Sequence, residues 1–198
     1  MNLEDLLRKD PVTVDPSPGQ LLVAGPMIGD LNFSRTAVLI LERTPEQGHF
    51  GLVLNRATDA NLAMLVENWN NADKIPLYLG GPVELDRMFM LHRLGNIIAG
   101  STELCPGIYT GGDTEEIKEY IESGEPTEGK IRFFMGYSGW GEGQLAAEII
   151  EHTWAVNVSP DLNELLSGNG QEYWRKQVKA LGREYKSWLN IPGHPQLN

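Results

Sequence analysis

The chain has 198 residues, with 16 Lys+Arg against 27 Asp+Glu and a net charge of −11. That length can bury a substantial core and suits one domain spanning 1–198, while the acidic balance repels a phosphate backbone over most of the surface and disfavours direct nucleic-acid binding. No run of about 18 apolar residues is present and the opening MNLEDLLRKD is charged where an export signal is apolar, so no membrane partner is expected and the cytoplasm is the default compartment.

The N-terminal 1–18 reads as an arm: a short amphipathic piece, LEDLLR, then VTVDPSPG, whose prolines and glycine interrupt regular structure. Three apolar runs follow, QLLVAG, TAVLILER and FGLVLNR, separated by the turn-prone GDLNFSR and TPEQGH. Their length and Val/Leu/Ile content predict buried strands, the last two joined closely enough for a hairpin. In DANLAMLVENW, Leu62, Leu65, Val66 and Trp69 fall at helical spacing, which predicts a helix from about Asn61 to Trp69 capped by Asp59 or Asn61. LYLGGPV and MFMLHRL predict two strands joined by a turn over Pro82–Asp86. TEEIKEYIESG predicts a helix that begins after Asp113, stops at Gly124 and carries Ile117, Tyr120 and Ile121 on one face.

IRFFMGYSGW then predicts a strand, QLAAEIIEH a short helix and TWAVNV a last strand. Over 160–190 the pattern turns helical. Trp174, Val178, Leu181, Tyr185 and Trp188 form a 3–4 spaced stripe that should pack as a closing helix on a core spanning 19–158. Because the first three strands follow one another without a helix, an α+β arrangement with a mixed sheet is a better reading than a doubly wound parallel sheet.

The ordered set GQLLVAGPMIGDLNFSRTAVLI, GLVLNR, GGPV with LHR soon after, PGIYTGGD, and RFFMGYSGWGEGQLAAEI resembles the AlgH/YqgE family of bacterial proteins over about Gly19 to Leu181. The resemblance implies a cytoplasmic, single-domain protein whose mixed, branched sheet partly closes as a barrel and is surrounded by helices. It implies no settled activity. Some members carry a transcriptional-regulator label, but no recognised DNA-binding motif accompanies it in this chain. The family pattern does not require a cysteine before the Pro-Gly pair where Cys105 stands. Ser138 occupies a position where relatives often have Ala, which argues against a nucleophile there.

Gly141–Ala146 matches the dinucleotide fingerprint G-x-G-x-x-G/A between a strand and a helix, with Asp161 placed as a ribose-binding acid would be. Three features oppose a nucleotide. The helix is short for a crossover, too little chain follows for the second half of such a fold, and Glu142 puts a carboxylate where a phosphate would sit. The glycines are better explained as a strand-to-helix hinge around a packed Trp140, with Gln144 and Glu148 starting the helix.

Asn32 and Arg35 precede the second strand and Asn55-Arg56 ends the third, so two guanidinium groups facing one cleft could hold a carboxylate or phosphate. The structural alternative is that each arginine pairs with Asp30, Asp113 or Glu148. His92 could be a base or a ligand, although His49, His152 and His194 show no ligand spacing with it. Asp113 is most simply a helix cap, with an acid/base pair of Asp113 and Glu148 as the functional alternative. With no metal or cofactor constellation, the sequence favours a non-catalytic regulatory or binding protein whose partner is an unknown protein or a small anionic ligand. The competing reading is an enzyme or anion-binding protein that gathers Arg35, Arg56, His92 and Asp113 in one pocket; direct DNA-binding regulation ranks last.

Overall fold

The computed structural model describes residues 15–44 and 48–192. Most of the expected arm, including LEDLLR, therefore lies outside the described residues. Ten strands form one sheet: β1 (Leu21–Ala24), β2 (Ala37–Thr44), β3 (Gly48–Val53), β4 (Ala57–Asn61), β5 (Pro76–Leu79), β6 (Val83–His92), β7 (Thr102–Cys105), β8 (Ile108–Thr110), β9 (Ile131–Trp140) and β10 (Trp154–Asn157). The main path runs β10-β1-β2-β3-β9-β6-β8-β7.

The sheet branches at β9. On one side β9 pairs with β6 along most of its length. On the other, Phe133–Met135 run parallel to β5, while Ser138–Trp140 pair antiparallel with β3. The fold is thus α+β with a mixed, branched sheet. Barrel closure and an enclosing layer of helices go further than these pairings, which leave β10 and β7 as the ends of the path and β4 as a side branch.

The alternation of side chains explains why β1 and β2 read as unbroken apolar runs. Leu21, Leu39 and Leu52 face a core that includes Phe134 and Tyr173, while their neighbours Leu22, Val38 and Val53 face the opposite side with Trp140, Leu145 and Trp154. A sheet covered on both faces needs apolar residues at successive positions.

Among the described residues three α-helices complete the frame: α1 (Thr114–Glu122), α2 (Gln144–Ile150) and α3 (Gly170–Leu181). Helix α1 buries Ile117, Tyr120 and Ile121 against Leu77, Met90 and Phe133. Helix α3 lays Trp174 and Val178 on Val23 of β1, and the Trp174 indole donates to the Ala24 carbonyl at 2.9 Å. Full burial of such a side chain is worth about 1.5–3 kcal/mol. The stripe does not continue as one helix: Gly182, at φ 123°, breaks it, and Arg183–Asn190 follow as a 3-10 segment. Leu181, Tyr185 and Trp188 still pack against the same cluster. Among the described residues, no helix is long and apolar enough to cross a membrane.

Two sequence expectations are corrected. The helix over Asn61–Trp69 is absent: β4 ends at Asn61, and only Leu62–Met64 form a 3-10 turn. Leu62 is buried, but Met64 is 71% exposed and Leu65 is also exposed. Asn68 and Asn71 adopt left-handed φ values of 59° and 65° that a helix cannot contain. Here the tertiary site for one leucine and the local turns override a helical period. The turn over Pro82–Asp86 is also displaced, because β6 already starts at Val83. The irregularity sits inside the strand, between Val83 and Met88, with Glu84 at φ 47°. Strands β4 and β7 have short, mixed sequences with little strand signal, and β8, although made of the strand-favouring Ile, Tyr and Thr, is only three residues long.

Candidate functional site

The chain crosses from β3 to β4 through Leu54, Asn55 and Arg56, and this short link is the centre of a cleft. Asn55 is 3% exposed and uses its amide fully. Its Oδ1 accepts from Ala37 N–H at 2.9 Å, and its Nδ2 donates to the carbonyls of Arg35 at 2.9 Å and Gly170 at 2.8 Å. The Asn55 carbonyl accepts from Gly170 N–H at 2.8 Å. One asparagine therefore ties the start of β2, the end of β3 and the start of α3 together.

Around that clamp lies a cavity of about 230 Å3, lined by Arg35, Asn55, Arg56, Asn169, Gly170 and Gln171 among others. Arg35 sits in a left-handed conformation at φ 54°, unusual for a non-glycine residue, with its carbonyl held by Asn55. It is only 8% exposed. Its Nη2 donates to the Ile191 carbonyl at 2.6 Å, its guanidinium lies 4.6 Å from the Trp174 ring centroid, and Nη1 is buried without a hydrogen-bond partner. Arg56 donates more weakly to the Ser34 carbonyl at 3.4 Å.

Neither guanidinium has a carboxylate within salt-bridge distance among the described residues, where ion pairs involve Arg43, His49, Arg87 and Lys176 instead. Burial lowers the pKa of both arginines. The neighbouring Arg175 lowers that of Arg35 further, and Asp30 partly opposes the shift at Arg56. An arginine stays protonated despite such shifts, so the lowered values mark cations held at an electrostatic cost. The expected pairing of each arginine with Asp30, Asp113 or Glu148 is thus replaced by contacts to backbone carbonyls and an indole ring.

The other candidate residues stand apart from this cleft. Asn32 is exposed, and its backbone N–H bonds the Asp30 carboxylate in a local turn. His92 is 0% exposed, and both ring nitrogens are occupied: Nδ1 accepts from Leu94 N–H at 3.1 Å, which leaves Nε2 to donate to the Gly111 carbonyl at 3.0 Å. Burial depresses its pKa, the Gly111 bond partly opposing. A ring committed in this way has no free lone pair to act as a base. Asp113 accepts from the N–H groups of Glu115 and Glu116 as the cap of α1. The four-residue pocket of Arg35, Arg56, His92 and Asp113 does not assemble, since only the arginines line the cleft.

Trp140, Gln144 and Glu148 form a third centre. Glu148 Oε2 accepts from the indole N–H of Trp140 at 2.9 Å and of Trp154 at 2.8 Å, and its Oε1 accepts from the Gln144 amide at 2.8 Å. Gln144 Oε1 takes the Gly141 N–H at 3.0 Å, so the side chain of the loop itself occupies a donor that a phosphate would need. Gly143 has φ 71°, and a Cβ at Gly48 would collide with the Trp140 carbonyl. Positive φ thus accounts for Gly136, at 67°, and Gly143 in this loop. Ser138 is buried, donating to the Gly80 carbonyl, and burial raises the Cys105 thiol pKa, which favours the protonated form.

Two contributors escaped the sequence reading. Asn169 lines the cleft and accepts from Ala57 N–H at 3.0 Å; its only signal was the SGNG turn before the last helix. Arg132, 6% exposed, donates to the carbonyls of Leu54, Leu166 and Gly168, with its guanidinium 4.0 Å from the Tyr78 centroid. A charge inside the apolar run IRFF was the available clue. Among the described residues, no cluster of three or more His, Cys, Asp or Glu could hold a metal ion.

Residues 21–186 match a family model described as AlgH-like, and the chain belongs to that family. It is 42% identical over 185 residues, 92% of each chain, to a "UPF0301 protein" of Parabacteroides distasonis. It is 35% identical over the whole of both chains to another from Bacteroides thetaiotaomicron. Two solved structures are similar: a crystal structure of a Corynebacterium diphtheriae protein, with TM-score 0.71 and 26% identity, covering 88% of this chain and 92% of that one, and the solution structure of the AlgH protein from Pseudomonas aeruginosa, with TM-score 0.66 and 29% identity, covering 91% and 98%.

Proposed function

We propose that this member of the AlgH-like family is a cytoplasmic, non-catalytic binding protein whose cleft at Arg35 and Arg56 takes a small anionic ligand carrying a carboxylate or phosphate. The observation that carries this reading is a cation with no carboxylate within salt-bridge distance among the described residues: a buried Arg35 guanidinium with an unpartnered Nη1, next to Arg56, in a chain of net charge −11. Burying a charge without a partner costs several kcal/mol, and an incoming anion would offset that cost through charge-assisted, two-pronged hydrogen bonds.

The start of α3 supports the same chemistry. Asn169 makes no side-chain cap bond there; the Gly170 N–H is already given to the Asn55 carbonyl, which leaves Gln171 N–H as the first-turn donor of a residue that lines the cleft. A catalytic role has less support, because the lining holds no histidine, cysteine or carboxylate to act as base or nucleophile. Direct DNA regulation has least: in the most basic stretch Trp174 and Val178 are buried, Lys176 pairs with Glu164, and Arg175 bonds the Leu189 carbonyl.

Thermal denaturation in increasing inorganic phosphate or citrate tests the reading. At 100 times the dissociation constant a ligand of the native state adds about 2.7 kcal/mol of stability. That gain should vanish in Arg35→Ala and Arg56→Ala. Unchanged melting with either anion, or a gain retained by both variants, would sink the proposal.

A further inference from the structure

Asn169, on the wall of this cleft, also borders a neighbouring space. The same residue lines a second cavity of about 300 Å3, walled by Ile75, Pro76, Tyr78, Ile131 and Arg132 among others. Ala57, on the wall of the first cavity, is paired across β4 and β5 with Tyr78, on the wall of the second, so one piece of sheet underlies both. Asn169 stands at the junction. Its Oδ1 is committed to the Ala57 N–H, which leaves the amide NH2 as the group able to reach a ligand.

The two cavities differ in chemistry. The first is bordered by two guanidinium groups and a helix start. The second sets the carbon of Ile75, Ile131 and Leu166, all buried, beside the Arg132–Tyr78 stack, with Lys74, Thr127, Glu128 and Gly129 on its remaining wall. Three carbonyl acceptors hold Arg132 in place, so its planar cation is a fixed part of the wall and does not swing out to meet a ligand. A flat cationic wall beside aliphatic carbon suits the face of an aromatic ring, through cation–π attraction and burial of apolar surface. A rigid ring also loses less freedom on binding than a flexible chain of the same size.

We propose that the two cavities form one two-part site, and that its ligand is an aromatic or heteroaromatic anion: the carboxylate or phosphate rests on Arg35 and Arg56, and the ring lies past Asn169 in the second cavity. This rests on the anion-binding reading above and names the ligand class for the same cleft.

The test is calorimetric titration of the intact protein with inorganic phosphate, phenyl phosphate and phenol. Phenyl phosphate should bind at least about tenfold tighter than inorganic phosphate, with phenol alone far weaker, as expected when the charge fixes the pose and the ring adds burial. Thr127→Phe, which fills the second cavity from its loop wall, should erase the tenfold gain and leave inorganic phosphate binding unchanged. Amide shifts give an answer independent of any variant: Thr127, Gly129 and Gly168 should respond to phenyl phosphate and not to inorganic phosphate. Equal affinity for the two phosphates, or silent amides at those three positions, overturns the two-part site while leaving the arginine cleft standing. Loss of both affinities in Arg56→Ala supports the shared head-group site, and absence of binding by either phosphate overturns both readings.

Discussion

Two charged centres of this molecule are built in opposite ways. At Glu148, a carboxylate meets donors enough to satisfy it: two buried indole N–H groups and the Gln144 amide, all at 2.8–2.9 Å. At Arg35 and Arg56, two cations meet carbonyls and an indole face, with one nitrogen left unpartnered and no carboxylate within salt-bridge distance among the described residues. The first arrangement is closed and does its work by holding Phe33, Trp140 and Trp154 together. The second leaves a buried donor unmet beside a cavity, which is the feature the proposed binding role rests on.

The comparison is most sharply tested at Glu148. Glu148→Ala strands two buried indole donors and should cost about 3 kcal/mol, read from urea denaturation, because each hydrogen bond to a charged group is worth about 1.5–3 kcal/mol. A loss below about 0.5 kcal/mol would mean that this centre is no more closed than the arginine cleft. His92 belongs with Glu148 as a satisfied residue, and its test is pH. Its depressed pKa means the folded state binds fewer protons than the unfolded state. The contribution is therefore fully present above the ordinary value of about 6.5, and is lost as pH falls from there through the folded value. The slope is bounded by about 1.4 kcal/mol per pH unit for a single proton. Urea midpoints between pH 7.5 and 5.5 should fall in the parent protein more steeply than in His92→Gln; parallel profiles would remove the argument that its ring is held neutral.

Asp113→Ala deletes the cap of α1 and should cost about 1 kcal/mol, again without touching ligand binding. The smallest effect on stability is expected at the open centre. Arg56→Ala removes one long hydrogen bond and a partly buried charge, and should change stability by no more than about 0.5 kcal/mol while removing the phosphate response. A large destabilisation by Arg56→Ala, with the phosphate response intact, would recast that arginine as structural and erase the contrast.

Part of this was legible in the chain. Asp113 lies just before a helical apolar face, and its capping role follows from local spacing. The Trp140 hinge was readable because Glu142 and a short helix spoke against a phosphate loop. The pairing of Arg35 with Arg56 in one cleft was raised as a possibility because each lies next to a strand end. The grouping of both with His92 and Asp113 was not realised, since residues separated by tens of positions meet only if the sheet order brings them together. Arg132 and Asn169 were overlooked for the same reason. Nothing local to IRFF or SGNG says that Leu54, Leu166 and Gly168 turn their carbonyls to one guanidinium.

By itself the sequence determined the main apolar runs, the ends of α1 and the α+β class, because these rest on side-chain periodicity and on capping within a few residues. Only the tertiary structure decided the branch at β9, the loss of the Asn61–Trp69 helix and the satisfaction of each buried polar group. Those depend on which distant backbone atoms come within hydrogen-bonding reach, as the Ile191 carbonyl does for one nitrogen of Arg35 while the other is left without an acceptor.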